Sequence, residues 1–132
     1  MEKQIRVLLA EDDEANAKAA RMMLEQLGCT VDIAKDGAKA VDHFRTRDYD
    51  LILMDAQMPR VTGIEATVQI RSMPGGQTIP IVGTTSGESH LECLQSGMNE
   101  IVPKPFVLEK MRYVLSRWTN WTAGPKRNCA QS

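Results

Sequence analysis

Apolar runs of strand length alternate with amphipathic stretches of helix length along most of this chain. The runs are Ile5–Ala10, Asp50–Asp55 with its core Leu51–Met54, Ile79–Thr84 and the shorter Glu100–Val102. Thr30–Ala34 alternates apolar with polar residues and reads as a more exposed strand. After the first run, Ala20, Met23, Leu24 and Leu27 fall at the i, i+3, i+4, i+7 spacing of a helix over Glu14–Leu27, and Gly28 closes it. Asp36-Gly37 turns into a second helix with Ala38, Val41 and Phe44 on one face. Pro59 forbids continuing the third strand, Thr62-Gly63 opens a helix through Arg71, and Pro74-Gly75-Gly76 breaks the chain again. A helix over Glu88–Gln95 stops at Gly97. The last, from Phe106 or Val107 to about Trp118, carries Val107, Met111, Val114, Leu115 and Trp118 as its buried stripe. Strand followed by helix, five times over, predicts an α/β fold, (βα)5, with a parallel sheet and right-handed crossovers. From Thr119 onward the periodicity is lost, which predicts a domain over 1–118 and a poorly ordered tail or linker over 119–132.

In a parallel sheet the carboxyl ends of the strands meet on one rim, where ligands bind. Four polar clusters follow four of the apolar runs: Glu11-Asp12-Asp13, Asp55, Thr84-Thr85 and Lys104-Pro105. Each alone has a plain structural reading. The acids after the first strand suit a helix cap and first turn, Asp55 suits an Asx turn, the threonines suit a strand end, and a lone lysine is usually solvated. Those roles give no reason for all four to fall on one rim, whereas a shared pocket does.

Adjacent parallel strands lie ~4.8 Å apart, so Asp12 and Asp55 can share one cation if their strands are neighbours. Carboxylates that close raise each other's pKa unless something positive neutralises them. Mg²⁺ (or Mn²⁺) fits, because it takes one or two carboxylates and leaves positions for water and phosphate oxygens. With the ammonium of Lys104 and the hydroxyl of Thr85 on the same rim, the set suits phosphoryl transfer to a carboxylate nucleophile.

Composition narrows the field without adding chemistry. The 132 residues, 42% hydrophobic and 25% charged, suit one globular domain. A formal net charge of −1 gives no electrostatic case for nucleic acid or an anionic membrane. No apolar run approaches the ~20 residues that span a bilayer, and no signal-peptide core precedes the first strand. Cys29, Cys93 and Cys129 lack the spacing of a disulfide framework or a zinc site, and His43 and His90 lie in polar helical stretches. These features together read as a cytoplasmic, reduced protein, a monomer or weak dimer.

The span from about Ile5 to Trp118 resembles the receiver domains of two-component response regulators, above all those of hybrid sensor histidine kinases. The segments that carry the resemblance are Val7-Leu-Leu-Ala-Glu11-Asp12-Asp13, Tyr49-Asp-Leu-Ile-Leu-Met-Asp55-Ala-Gln-Met-Pro59, Ile79-Pro-Ile-Val-Gly-Thr-Thr85 and Lys104-Pro105-Phe106. The resemblance implies a flavodoxin-like three-layer sandwich with sheet order 2-1-3-4-5. It makes Asp55 the phospho-acceptor. Asp12, Asp55 and the backbone carbonyl of Gln57 become Mg²⁺ ligands, with Glu11 acting through water. Lys104 and Thr85 become the groups that meet the phosphoryl oxygens, and Lys104–Pro105 a cis peptide. It implies a domain that gains and loses its own phosphoryl group rather than a conventional enzyme, with a histidine kinase or histidine phosphotransfer protein as donor.

Three positions depart from the family pattern. Ile101 stands where a Tyr or Phe usually serves as aromatic switch, so a muted response of the fourth helix and fifth strand is expected. Thr62 replaces the usual Asp before Gly63, and Pro103 stiffens the approach to Lys104. Two other readings compete. A receiver-like interaction module never regulated by phosphorylation is favoured only by Ile101. A haloacid-dehalogenase-like Mg²⁺ phosphatase would need a DxD after the first strand, and Glu11-Asp12-Asp13 lacks it.

Overall fold

The computed structural model describes residues 4–58, 60–85 and 90–122. Five strands, β1 (Arg6–Ala10), β2 (Thr30–Ala34), β3 (Leu51–Asp55), β4 (Ile81–Thr85) and β5 (Glu100–Pro103), form one parallel sheet in the order β2-β1-β3-β4-β5. Five helices alternate with them: α1 (Glu14–Gln26), α2 (Gly37–Thr46), α3 (Gly63–Arg71), α4 (His90–Ser96) and α5 (Leu108–Trp118).

Strand periodicity splits the core into two layers. Val7, Leu9, Leu51, Leu53 and Val82 face one way and pack with Ala17, Ala20 and Leu24 of α1 and Met111, Val114 and Leu115 of α5. Leu8, Ala10, Ile52, Met54 and Ile81 face the other and pack with Ala40 and Val41 of α2, Ala66 and Ile70 of α3, and Cys93 of α4. The central β3 is covered on both faces and all five of its residues are buried, which is why its sequence reads as a continuous apolar run. Gly28, at φ 90, takes the left-handed conformation that lets the chain leave α1 and enter β2.

The structure differs from the sequence reading in two helix faces and in the bounds of β4. Ala38 is exposed, and the buried face of α2 is Gly37, Ala40 and Val41, since one residue's step turns a helix by about 100°. Val107 is 54% exposed because it is the N-cap of α5 rather than part of its stripe, and Phe106 packs against the core instead. β4 begins at Ile81 rather than Ile79 and runs on through Thr85. α4 is described from His90; Glu88 and Ser89, placed in that helix by sequence, lie outside the described residues, as does Pro59.

After α5 the chain folds back toward the end of α1. The Trp121 indole donates to the carbonyl of Leu27 at 2.7 Å, and its backbone N–H donates to Thr119 Oγ1 at 3.0 Å. Gln4, Ile5, Leu27, Gly28, Asp50 and the segment 120–122 line a cavity at the amino ends of the strands. The rest of the expected tail, 123–132, lies outside the described residues. Among the described residues no helix is long and apolar enough to cross a membrane.

Candidate functional site

The strand order places β1 beside β3 and β4 beside both β3 and β5, so the residues that end or follow these strands converge. Ala10 pairs with Met54, Asp55 with Thr84, and Thr85 with Pro103. Glu11 and Asp55 are consequently neighbours and nearly inaccessible, 5% and 3% exposed. Asp12 is exposed beside them.

Asp55 is held at both oxygens. Lys104 Nζ donates to Oδ2 at 2.8 Å, and the backbone N–H of Gln57 donates to Oδ1 at 3.0 Å. The same ammonium lies 3.4 Å from Glu11 Oε1, whose other oxygen accepts the Asp13 N–H at 3.1 Å. Asp13 itself caps α1, accepting the Asn16 N–H at 2.9 Å, so of the three consecutive acids it alone serves the helix directly. Thr85 is buried at the end of β4, and its carbonyl accepts the Lys104 N–H at 3.1 Å. That bond ties the lysine's backbone to β4, the strand beside Asp55. The Lys104–Pro105 peptide is cis.

The electrostatics follow from burying acids around one cation. Burial, and then the charge of Asp55, push the Glu11 carboxyl above the usual carboxylate range, although the Asp13 N–H and Lys104 oppose the shift. Burial pulls on the Lys104 ammonium in the opposite direction, but its bonds to Asp55 and Glu11 outweigh that and raise its pKa. Glu11, Asp12 and Asp55 each offer one carboxylate oxygen within 4.8 Å of the others. Three hard oxygen donors facing one point, with a single lysine against them, fit a divalent cation such as Mg²⁺.

Ile101 is half-buried and packs with Met98, both lying over Gly83, where any side chain would strike the Met98 sulfur. Pro103 closes β5 at its edge. Thr62 caps α3 by a reciprocal box: its hydroxyl accepts the Glu65 N–H at 3.1 Å, and the Glu65 carboxylate accepts the Thr62 N–H at 2.9 Å. One contributor was not visible in the sequence. Gly63, read there only as a helix start, sits so close to Asp55 that a Cβ on it would collide with that residue's own backbone carbonyl. The pairing of Thr62 with a following Gly was the signal that could have found it.

The sequence model described as "Response regulator receiver domain" matches residues 7–116. The hybrid signal transduction protein dokA of Dictyostelium discoideum is 34% identical over 113 residues, which is 85% of this chain and 7% of that protein. The chain spans less than a fifth of the length of the curated relatives it matches, 7%, 15% and 19% for three of them. Among solved structures, the receiver domain of the sensor histidine kinase PA1611 from Pseudomonas aeruginosa PAO1, which holds a magnesium ion in its active-site cleft, superposes with a TM-score of 0.84 at 35% identity. That alignment covers 88% of this chain and 98% of that one. The receiver domain of Ssk1 from Saccharomyces cerevisiae, crystallised with the histidine phosphotransfer protein Ypd1, gives a TM-score of 0.82 at 28% identity, covering 89% and 90%. With four strand-end motifs on one rim, the 2-1-3-4-5 sheet and a family match over most of its length, this chain belongs to the response regulator receiver domains.

Proposed function

We propose that Asp55 is the phospho-acceptor of this receiver and that its donor is a phosphohistidine on a histidine kinase or histidine phosphotransfer protein. The observation that carries the reading is the double hold on Asp55, by Lys104 at one oxygen and the Gln57 N–H at the other, beside the acids Glu11 and Asp12. A carboxylate oxygen of Asp55 attacks phosphorus while the bond to the donor's imidazole nitrogen breaks, leaving an acyl phosphate on Asp55 and a free imidazole on the donor. Lys104 gives up its bond to the carboxylate and pairs with the phosphoryl oxygens, and the Thr85 hydroxyl donates to the same group. Water later attacks the phosphorus and returns Asp55 to its carboxylate.

Asp12, Asp55 and the Gln57 carbonyl would hold Mg²⁺ (or Mn²⁺ in its place), with Glu11 acting through water. Once bound, the cation supplies positive charge against the phosphoryl oxygens. Support comes from the donor set of this chain and from the magnesium in the PA1611 receiver. The Ypd1 complex of the Ssk1 receiver supports the choice of donor class.

The test is modification by acetyl phosphate, followed by intact mass. The native protein gains one phosphoryl group only with Mg²⁺ present, and Asp55→Asn gains none. Equal modification of Asp55→Asn would overturn the assignment of the acceptor.

A further inference from the structure

Three carboxylates are buried among the described residues, and two of them, Glu11 and Asp55, belong to the acidic rim. The third is Asp36, 5% exposed at the amino end of α2. One of its oxygens caps the helix, accepting the Lys39 N–H at 2.8 Å. The other lies 3.4 Å from Nη1 of Arg60, in the loop between β3 and α3. A cap needs only the first of these contacts. Arg60 stands at φ 66, the one non-glycine residue in the left-handed region among the described residues. A side chain disfavours that conformation, so the surroundings must hold it there.

A second bond joins the same two elements one residue further on. The Gly37 N–H donates to the Val61 carbonyl at 3.0 Å, and the approach is so close that a Cβ on Gly37 would overlap that oxygen. From Val61 the path to the rim is short. Thr62 caps α3, and the Gly63 N–H donates to the Ala56 carbonyl at 3.2 Å. That carbonyl and the Gln57 N–H are the two ends of one planar peptide, and the N–H donates to Asp55 Oδ1 at 3.0 Å. On its other side Ala56 is fixed, its N–H donating to the Thr84 carbonyl at 2.9 Å. The peptide therefore turns about the Ala56 Cα–C bond, and Gly63 sets how far. A shift of Gly63 re-aims the N–H that holds Asp55.

We propose that the amino end of α2 aims the acceptor: Gly37 and Asp36, through Val61 and Arg60, seat the loop that orients the Ala56–Gln57 peptide and so fix the Asp55 carboxylate for attack on phosphorus. Both are positioning residues, since neither touches the reacting atoms. The inference rests on the reading that Asp55 accepts a phosphoryl group. Gly37→Ala forces the Val61 carbonyl away, and a misplacement of about 1 Å passed on to the reacting atoms costs up to about a hundredfold in rate. Asp36→Asn keeps the cap, because asparagine serves as well there, and removes the charge that holds Arg60. Arg60→Gly removes the need for that charge, because glycine takes a left-handed φ freely.

The experiment follows modification of Asp55 by acetyl phosphate and Mg²⁺, read by intact mass, in the native protein, Gly37→Ala, Asp36→Asn and the double variant Asp36→Asn, Arg60→Gly. Rates are taken where each protein is folded by circular dichroism. A loss of stability alone leaves nearly all molecules folded there and does not lower the rate. Gly37→Ala is modified about tenfold more slowly than native. Asp36→Asn is about threefold slower, the size expected of an exposed ion pair, and the double variant regains the native rate. The Gln57 amide proton, read by NMR without phosphodonor, moves upfield in both single variants as its bond to Asp55 lengthens, and returns in the double variant. A folded single variant modified at the native rate would overturn the proposal. So would a slowed variant whose Gln57 amide is unmoved, or a deficit in Asp36→Asn that Arg60→Gly leaves in place. If Gly37→Ala does not fold, Asp36→Asn and its double variant decide alone. A native protein that takes no phosphoryl group overturns the acceptor reading and the aiming together, whereas native rates in every variant overturn the aiming alone.

Discussion

Cys29 and Thr67 occupy ordinary core positions, yet each buries a group that water would otherwise serve. Cys29 is 5% exposed, and burial, with the charge of Asp50 behind it, pushes its thiol from 9.0 up to about 11. The raised value means that the folded state holds the proton more tightly. The thiol's contribution to stability is therefore complete below pH 9 and is lost as pH rises toward about 11. The expected result is that the urea midpoint of the native protein falls toward that of Cys29→Ala across this interval. A constant gap between the two would contradict the burial argument. Thr67 is fully buried in α3, and its hydroxyl has no hydrogen-bond partner among the described residues. Thr67→Val keeps the shape and removes the unsatisfied group, so stability rises by about 1 kcal/mol, read from chemical denaturation.

At the scale of elements, α3 shows how a departure from the family pattern is absorbed. Thr62 forms the capping box in full, so Thr62→Ala costs about 1 kcal/mol of stability while Thr62→Asp, another good cap, stays within a few tenths of native. β5 and the turn after α4 meet where Ile101 and Met98 pack together over Gly83. Amide and methyl shifts of Ile101 are accordingly expected to change little between the free and phosphorylated protein; a rotamer change at Ile101 would refute this. The strands and rim residues were readable from sequence because each follows directly from a local apolar run and the polar residue that ends it. Ala38 and Val107 misled because short helices carry too few apolar positions to fix the phase or the first turn. Gly63 and Arg71 were not readable in their roles for another reason. Arg71 donates to oxygens 5 to 28 positions away along the chain, from Gly76 to Asn99, and Gly63 meets the carbonyl of Asp55, contacts that only the folded chain brings together.

For the whole molecule, the acidic rim is a cost of folding that a bound cation would relieve. Bringing Glu11, Asp12 and Asp55 within 4.8 Å against one lysine leaves an excess of negative charge in the folded state alone. Mg²⁺ is expected to raise the thermal midpoint with concentration, by about 2.7 kcal/mol of stability at a hundredfold excess over its dissociation constant. Asp12→Ala should flatten that response while leaving the metal-free protein at least as stable as native; an unchanged Mg²⁺ response would remove Asp12 from the ligand set.

The cavity that gathers Gln4, Ile5 and residues 120–122 near Asp50 lies at the amino ends of the strands, and the acids lie past their carboxyl ends. The path in and the path out therefore share one side of the domain. A polypeptide joined through both points would carry this fold as a stalked cassette, with its acidic rim turned away from the stalk. Exchanging what lies beyond the stalk would leave the geometry around Asp55 untouched.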